Sequence, residues 1–186
     1  MKIDFLEIKG PIVFTPHRFS DDRGYFTETF NINSMREAGI SKTAWVQDNQ
    51  SFSERAYTLR GLHFQIAPSA QAKLVRVLKG SIFDVAVNIR PNSPGFGKWV
   101  GVVLDSEKMN QLYIPAGFAH GFLTLEPNVE VFYKVSAVYS KTHDRAVAWN
   151  DPALNISWPL PAGIQPQLSL KDQLAPLLSQ LKNEPV

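Results

Sequence analysis

Between residues 73 and 135 the chain alternates short apolar runs with clusters of turn-forming residues, a rhythm that points to strand after strand. Residues 73–78 form one run, and Lys79-Gly80-Ser81 behind it reads as a hairpin turn. Over residues 82–90 the alternation is clean. Phe83, Val85, Val87 and Ile89 share one face, and Asp84, Asn88 and Arg90 share the other. Pro91-Asn92-Ser93-Pro94-Gly95 breaks the chain before a further run over 99–104, and shorter ones follow at 111–114, 120–125 and 129–135. Thirteen prolines in 186 residues argue against a helix bundle, because proline is poorly tolerated inside helices. Helix signals occur at 33–39, which opens on capping residues and stops at Gly39, and at 174–181, with Pro176 in its first turn. Ser169 and Asp172 supply a capping box ahead of the second. The expected fold is all-β: a sandwich, jelly roll or small barrel in one domain over 1–186, with short peripheral helices.

The absence of cysteine excludes a disulfide scaffold, a zinc ribbon, a thiolate cluster and a cysteine nucleophile together. A formal charge of +2 is too slight to attract nucleic acid or an anionic membrane. No stretch approaches the roughly 18 apolar residues of a membrane span. The first ten residues carry Asp4 and Glu7 and lack an apolar signal core. A cytoplasmic protein with neither nucleic acid nor membrane as partner is expected.

Alternation also shows which polar side chains share a face with apolar ones. Tyr133 lies with Val129, Val131 and Val135, while Glu130, Phe132 and Lys134 lie opposite. From this strand alone, a core tyrosine bonded to a backbone carbonyl is the expected reading. Lys73 lies on the face of Val75 and Val77. Either its ammonium is buried, which demands a partner or water, or it snorkels out from the strand end. The four histidines, His17, His63, His120 and His143, are not paired at the spacings usual for metal sites. The segment from Pro115 through Gly117 to His120 resembles half of the metal-binding signature of cupin barrels. In Gly61-Leu62-His63-Phe64-Gln65 a glutamine stands where the second histidine of the other half belongs. No metal is therefore expected, for want of ligands. Proton transfer is the main chemistry left, with a histidine as base and a carboxylate to set its tautomer. Arg23 and Arg60 each precede a glycine, an arrangement that suits an oxyanion clamp or a plain surface salt bridge.

Nine segments in order resemble the dTDP-4-dehydrorhamnose 3,5-epimerase family. They are Asp22-Arg23-Gly24-Tyr25-Phe26 with Glu28, Val46-Gln47-Asp48-Asn49-Gln50-Ser51, Leu59-Arg60-Gly61-Leu62-His63-Phe64-Gln65, and Lys73-Leu74-Val75-Arg76-Val77. Gly95-Phe96-Gly97-Lys98-Trp99-Val100-Gly101, the stretch from Gln111 to Phe122, Tyr133-Lys134, Trp149-Asn150-Asp151-Pro152 and Ser169-Leu170-Lys171-Asp172 complete the series. The resemblance implies a cupin-like jelly roll that works without a cofactor on dTDP-4-keto-6-deoxyglucose, supplying dTDP-L-rhamnose for cell-surface polysaccharide. It implies His63 as the base that removes the protons on C3 and C5, with Asp172 as its paired carboxylate. Lys73 is implied as stabiliser of the enolate oxygen, and Tyr133 as the acid on the opposite ring face.

For binding, the resemblance implies Arg60 and Arg23 on the pyrophosphate. Gln47, Asp48, Asn49 and Glu28 fall on the nucleotide and ribose, Tyr139 stacks on thymine, and His120, Asp144 and Lys171 make further substrate contacts. It also implies a homodimer whose N-terminal strand crosses to the partner, so that Arg23 and Glu28 serve the neighbouring site. Asn88 and Asp144 replace the family's more usual Asp and Glu. The competing expectations are an enzyme that inverts only C3 or only C5, a ketoisomerase, a binding module without catalysis, and a metal-dependent oxygenase.

Overall fold

The computed structural model describes residues 1–40 and 43–181. Its strands, in chain order, are β1 (Lys2–Phe5), β2 (Ile12–Thr15), β3 (Arg18–Asp21), β4 (Gly24–Thr27), β5 (Gln47–Ser53), β6 (Leu59–Gln65), β7 (Lys73–Lys79), β8 (Ser81–Asn88), β9 (Trp99–Asp105), β10 (Gln111–Ile114), β11 (Phe118–Thr124), β12 (Val129–Val135) and β13 (Asp144–Ala146). Two short helices, α1 (Ile32–Glu37) and α2 (Leu170–Gln173), lie at the periphery. One sheet runs β1-β2-β10-β7-β12-β5, the other β13-β6-β11-β8-β9, and β3-β4 stand apart as a pair of their own. Between the sheets, Val75, Val77, Leu112 and Val131 of the first meet Ile82, Ala86, Leu104 and Phe122 of the second. Each large aliphatic side chain buried this way contributes roughly 1.5–3 kcal/mol. The result is the expected cupin-like jelly roll.

Three local expectations are corrected. Residues 79–81 do not close a hairpin, because β7 and β8 belong to different sheets. Gly80, at φ +80°, turns a corner between them, and a Cβ there would lie 2.9 Å from the Val129 side chain. Second, β8 is buried on both faces. Val85, Val87 and Ile89 pack outward against Leu62, Phe64 and Leu154, while Ile82 and Ala86 face the interior. The side with Asp84, polar in sequence, is thus the inner one, and Asp84 is fully buried.

The third correction concerns the helices. Asn31 rather than Asn33 caps α1, its side chain accepting from the Asn33 N–H at 2.9 Å. Residues 174–181 do not form one helix. Ser169 alone caps α2, its side chain accepting from the Asp172 N–H at 3.2 Å, and the helix starts at Leu170; the reciprocal half of the expected capping box is replaced by the Ser169 hydroxyl donating to the Asp172 carboxylate. Pre-proline Ala175 is disfavoured in helical geometry, so the helix stops and only a 3-10 turn, Leu178–Gln180, follows. Among the described residues no helix is long and apolar enough to cross a membrane.

Candidate active site

Strands β6 and β11 pair antiparallel and set His63 directly opposite His120, with a register shift between His120 and Phe122. Glycine permits this closeness. A Cβ on Gly61 would lie 2.4 Å from the Gly121 Cα and 2.8 Å from the His120 carbonyl oxygen. Each histidine then meets its own carboxylate. Helix α2 delivers Asp172, whose Oδ1 lies 2.5 Å from His63 Nε2, and the Ser169 hydroxyl donates to its other oxygen at 2.8 Å. Burial pushes the Asp172 carboxyl up, but the hydrogen bond and charge of His63, with Ser169 and Lys171, outweigh it and hold the group below its usual value. An ionised carboxylate only accepts, so Nε2 carries the proton and Nδ1 is left free to take one.

His120 is the more enclosed of the two, and its Nε2 lies 2.5 Å from Asp84 Oδ1. Burial lowers the His120 imidazole below its ordinary value, Asp84 opposes this, and the nearby Lys73 and His63 add to the lowering. Asp84 was absent from the expected site. Its signal was present in the alternation of residues 82–90, which set it opposite Phe83 and Val85 without deciding which face is inner.

Lys73 is buried, 8% exposed, and does not snorkel out from its strand end. Its Nζ donates to the His63 carbonyl oxygen at 3.3 Å. Burial lowers its ammonium to about 8, against the opposing charges of Asp84 and Asp144 and with the help of Lys171. Tyr133 reaches the same place from β12, on the sheet opposite His63. It packs half-buried against the core cluster and lines the cavity as well. Burial raises its phenol above the ordinary value, and the Arg60 guanidinium opposes the shift.

These groups line a cavity of about 470 Å³, together with Arg60, His120 and Asp172. Arg60 is held at its rim by Nη2 donating to the Phe52 carbonyl at 3.0 Å. A second cavity of about 400 Å³ shares His63, Lys73 and Tyr133, and adds Gln47, Asn49, Tyr139, Asp144 and Lys171. There Asp144 accepts from Lys171 Nζ at 2.5 Å and from the Tyr139 hydroxyl at 3.2 Å. The three shared residues therefore sit where two compartments join.

Three expected residues lie elsewhere within the one chain. Asp48 alternates to the far face of β5 and pairs with Lys134 at 3.0 Å. Arg23, its side chain 89% exposed, pairs with Asp21 at the tip of the β3-β4 hairpin. Glu28, just past that hairpin, accepts from Asn31 Nδ2 at 2.9 Å. Among the described residues no cluster of three or more His, Cys, Asp or Glu side chains is arranged to hold a metal ion.

A family model for dTDP-4-dehydrorhamnose 3,5-epimerase matches residues 5–180. The dTDP-4-dehydrorhamnose 3,5-epimerase of Shigella flexneri is 48% identical over 172 residues, 92% of this chain and 93% of that one. The dTDP-6-deoxy-D-glucose-3,5-epimerase of Legionella pneumophila Philadelphia 1, solved in complex with dTDP-4-keto-L-rhamnose, matches at TM-score 0.93 and 41% identity over 99% of this chain and 97% of that one. A 3'-monoepimerase from Streptomyces bikiniensis, solved with dTDP-quinovose, matches at TM-score 0.89 and 34% identity over 98% and 92% of the two chains. With the family model matching nearly end to end and relatives this similar over almost their full length, the chain belongs to the dTDP-4-dehydrorhamnose 3,5-epimerase family.

Proposed function

We propose that the protein inverts C3 and C5 of dTDP-4-dehydro-6-deoxy-D-glucose, yielding dTDP-4-dehydro-L-rhamnose. The observation that carries this reading is the placement of an imidazole and a phenol on facing sheets around one cavity. His63, backed by Asp172, stands on β6, and Tyr133 stands on β12, with Lys73 lining the same cavity. The C4 ketone acidifies the C–H bonds on both neighbouring carbons. His63 Nδ1 takes the proton from one of them, and the electron pair moves into an enolate whose oxygen is at C4. The Lys73 ammonium meets the charge that develops there, which is where electrostatic stabilisation acts most strongly. Tyr133 then gives its phenolic proton to the carbon from the other ring face, and the ketone re-forms with the centre inverted. Exchange with solvent resets both groups before the second carbon reacts.

Deuterium tracing tests this directly. In D2O, NMR of the product should show deuterium at both C3 and C5. Label at one carbon alone would make the protein a mono-epimerase, and label at neither would overturn the reading. Tyr133→Phe should reduce product formation more than it reduces deuterium uptake, because the base and the enolate stabiliser remain. Equal losses would remove Tyr133 from the acid role.

The nucleotide reading extends across two copies of the chain. The β3-β4 hairpin pairs with neither main sheet, and it presents Phe19 and Phe26, 63% and 71% exposed, as cross-strand partners. An isolated two-stranded hairpin is at best marginally stable in water, so this one calls for a surface to cover it. We place that surface on a second copy, in a homodimer. The crossing brings Arg23 to the pyrophosphate beside Arg60, and Glu28 towards the nucleotide with Gln47 and Asn49, while Asp48 stays on the far face of β5 with Lys134. Tyr139 stacks on thymine, while His120, Asp144 and Lys171 contact the rest of the substrate. Phe26→Asp should convert a dimeric mass in analytical ultracentrifugation to a monomeric one and reduce activity with it. A wild-type monomer with full activity would remove the crossing. In this reading residues 1–186 act as one cytoplasmic epimerase domain supplying dTDP-L-rhamnose for cell-surface polysaccharide.

A further inference from the structure

Gln65, which stands at the position of a metal ligand in a metal-binding cupin, has a different task in this fold. It lies two residues beyond His63 on β6 and is 4% exposed. Its Nε2 donates to the Ser69 carbonyl at 2.7 Å and to the Val138 carbonyl at 3.2 Å, and its Oε1 accepts from the Ser140 N–H at 2.6 Å. Two more glutamines grip the same stretch. Gln71 Nε2 donates to the Ala137 carbonyl at 2.6 Å, and Gln47 Oε1 accepts from the Tyr139 N–H at 3.0 Å. Four consecutive residues, Ala137 to Ser140, are thus held by their main chain, while the side chains of Val138 and Tyr139 stay 62% and 57% exposed.

The chemistry selects an amide. At position 65 the stretch offers the Val138 carbonyl and the Ser140 N–H, and only a side chain that donates and accepts at once can satisfy both. A carboxylate at 65 would set an oxygen against two carbonyl oxygens, and a hydrocarbon would leave buried polar groups unpaired. An exposed aromatic ring on a rigidly held backbone is ordered before its ligand arrives, so less freedom is lost on binding.

We infer that Gln65, with Gln71 and Gln47, is a positioning device that fixes Tyr139 as a preset platform for the nucleobase and ties that platform to the strand carrying His63. This rests on the reading of Tyr139 as the residue that stacks on thymine. The test is a double-mutant cycle on dTDP affinity, measured by calorimetry, with wild type, Gln65→Glu, Tyr139→Ala and the double variant. Gln65→Glu alone should weaken dTDP about tenfold, raising KM more than it lowers kcat. In the Tyr139→Ala background the same change should weaken dTDP little further, because the platform is already gone. Losses that simply add, or a Gln65→Glu variant that binds dTDP like wild type, would overturn the positioning role. If Gln65→Glu fails to fold, the same cycle run with Gln71→Leu decides by the same criteria. A wild-type protein that does not bind dTDP, or a Tyr139→Ala variant that binds it normally, would instead sink the nucleotide reading of this site.

Discussion

His63→Ala should lower kcat by about 10³-fold, within the range that a positioned general base contributes, while dTDP affinity stays close to that of wild type. The two halves of this expectation have separate structural causes. The base function depends on Nδ1, left free because Asp172 accepts from Nε2 at 2.5 Å. In the proposed reading, binding draws mainly on groups farther out, such as Arg60 at the rim of one compartment and Tyr139 and Asp144 in the other. Removing the imidazole also leaves Asp172 without its main partner, but Ser169 still donates to it, so the fold should survive. Single-turnover rates and calorimetric dTDP binding on one preparation would check both halves. Normal turnover would exclude His63 as the base, and lost binding would mean that it holds substrate as well as reacting with it.

Lys73→Gln should lower kcat by roughly 10²–10³-fold, the usual effect of removing one preorganised group that stabilises an oxyanion. Glutamine keeps a donor but removes the positive charge, so the comparison isolates electrostatics. The pH profile gives a second readout. Burial brings the Lys73 ammonium down to about 8. The charged, active form is therefore present below that value and lost as pH rises through it, so kcat/KM should fall on the alkaline side near pH 8. In Lys73→Gln that limb should vanish. Melting temperature should not drop, because the variant no longer holds an ammonium against its desolvation penalty. An alkaline limb that persists unchanged in the variant would assign it to another group.

How far these residues were legible in sequence depended on whether the signal was local. The strands at 99–105, 111–114, 118–124 and 129–135 fall on the apolar runs expected at 99–104, 111–114, 120–125 and 129–135, and the faces of Lys73 and Tyr133 follow from alternation. Alternation does not say which face of β8 is inner, because both are covered: one by β7, β10 and β12 across the core, the other by residues around Leu154. That ambiguity hid Asp84. Gly80 looked like a hairpin turn because a corner between sheets needs the same permissive backbone as a turn within one. His63 and Asp172 lie 109 residues apart, and no local pattern joins them. Only the family resemblance linked the two before the fold did. The β3-β4 hairpin was not read in sequence, where Arg23-Gly24 stood only as an arginine beside a glycine, and its exposed aromatics are a property of the folded chain.

In the proposed mechanism base and acid stand on separate sheets, so the thickness of the hydrophobic core acts as a calliper on the reaction. Packed sheets stand about 10 Å apart, a gap set by the side chains between them. In this protein those include Val75, Ala86, Leu112 and Phe122, none of which carries a reactive group. Their volumes set how far the imidazole on one wall is from the phenol on the other, and hence which ring size and pucker can span them. Core composition, normally a matter of stability alone, becomes a determinant of stereochemistry here. On that mechanism, two relatives with identical reactive residues would differ in how many carbons they invert by differing only in oil.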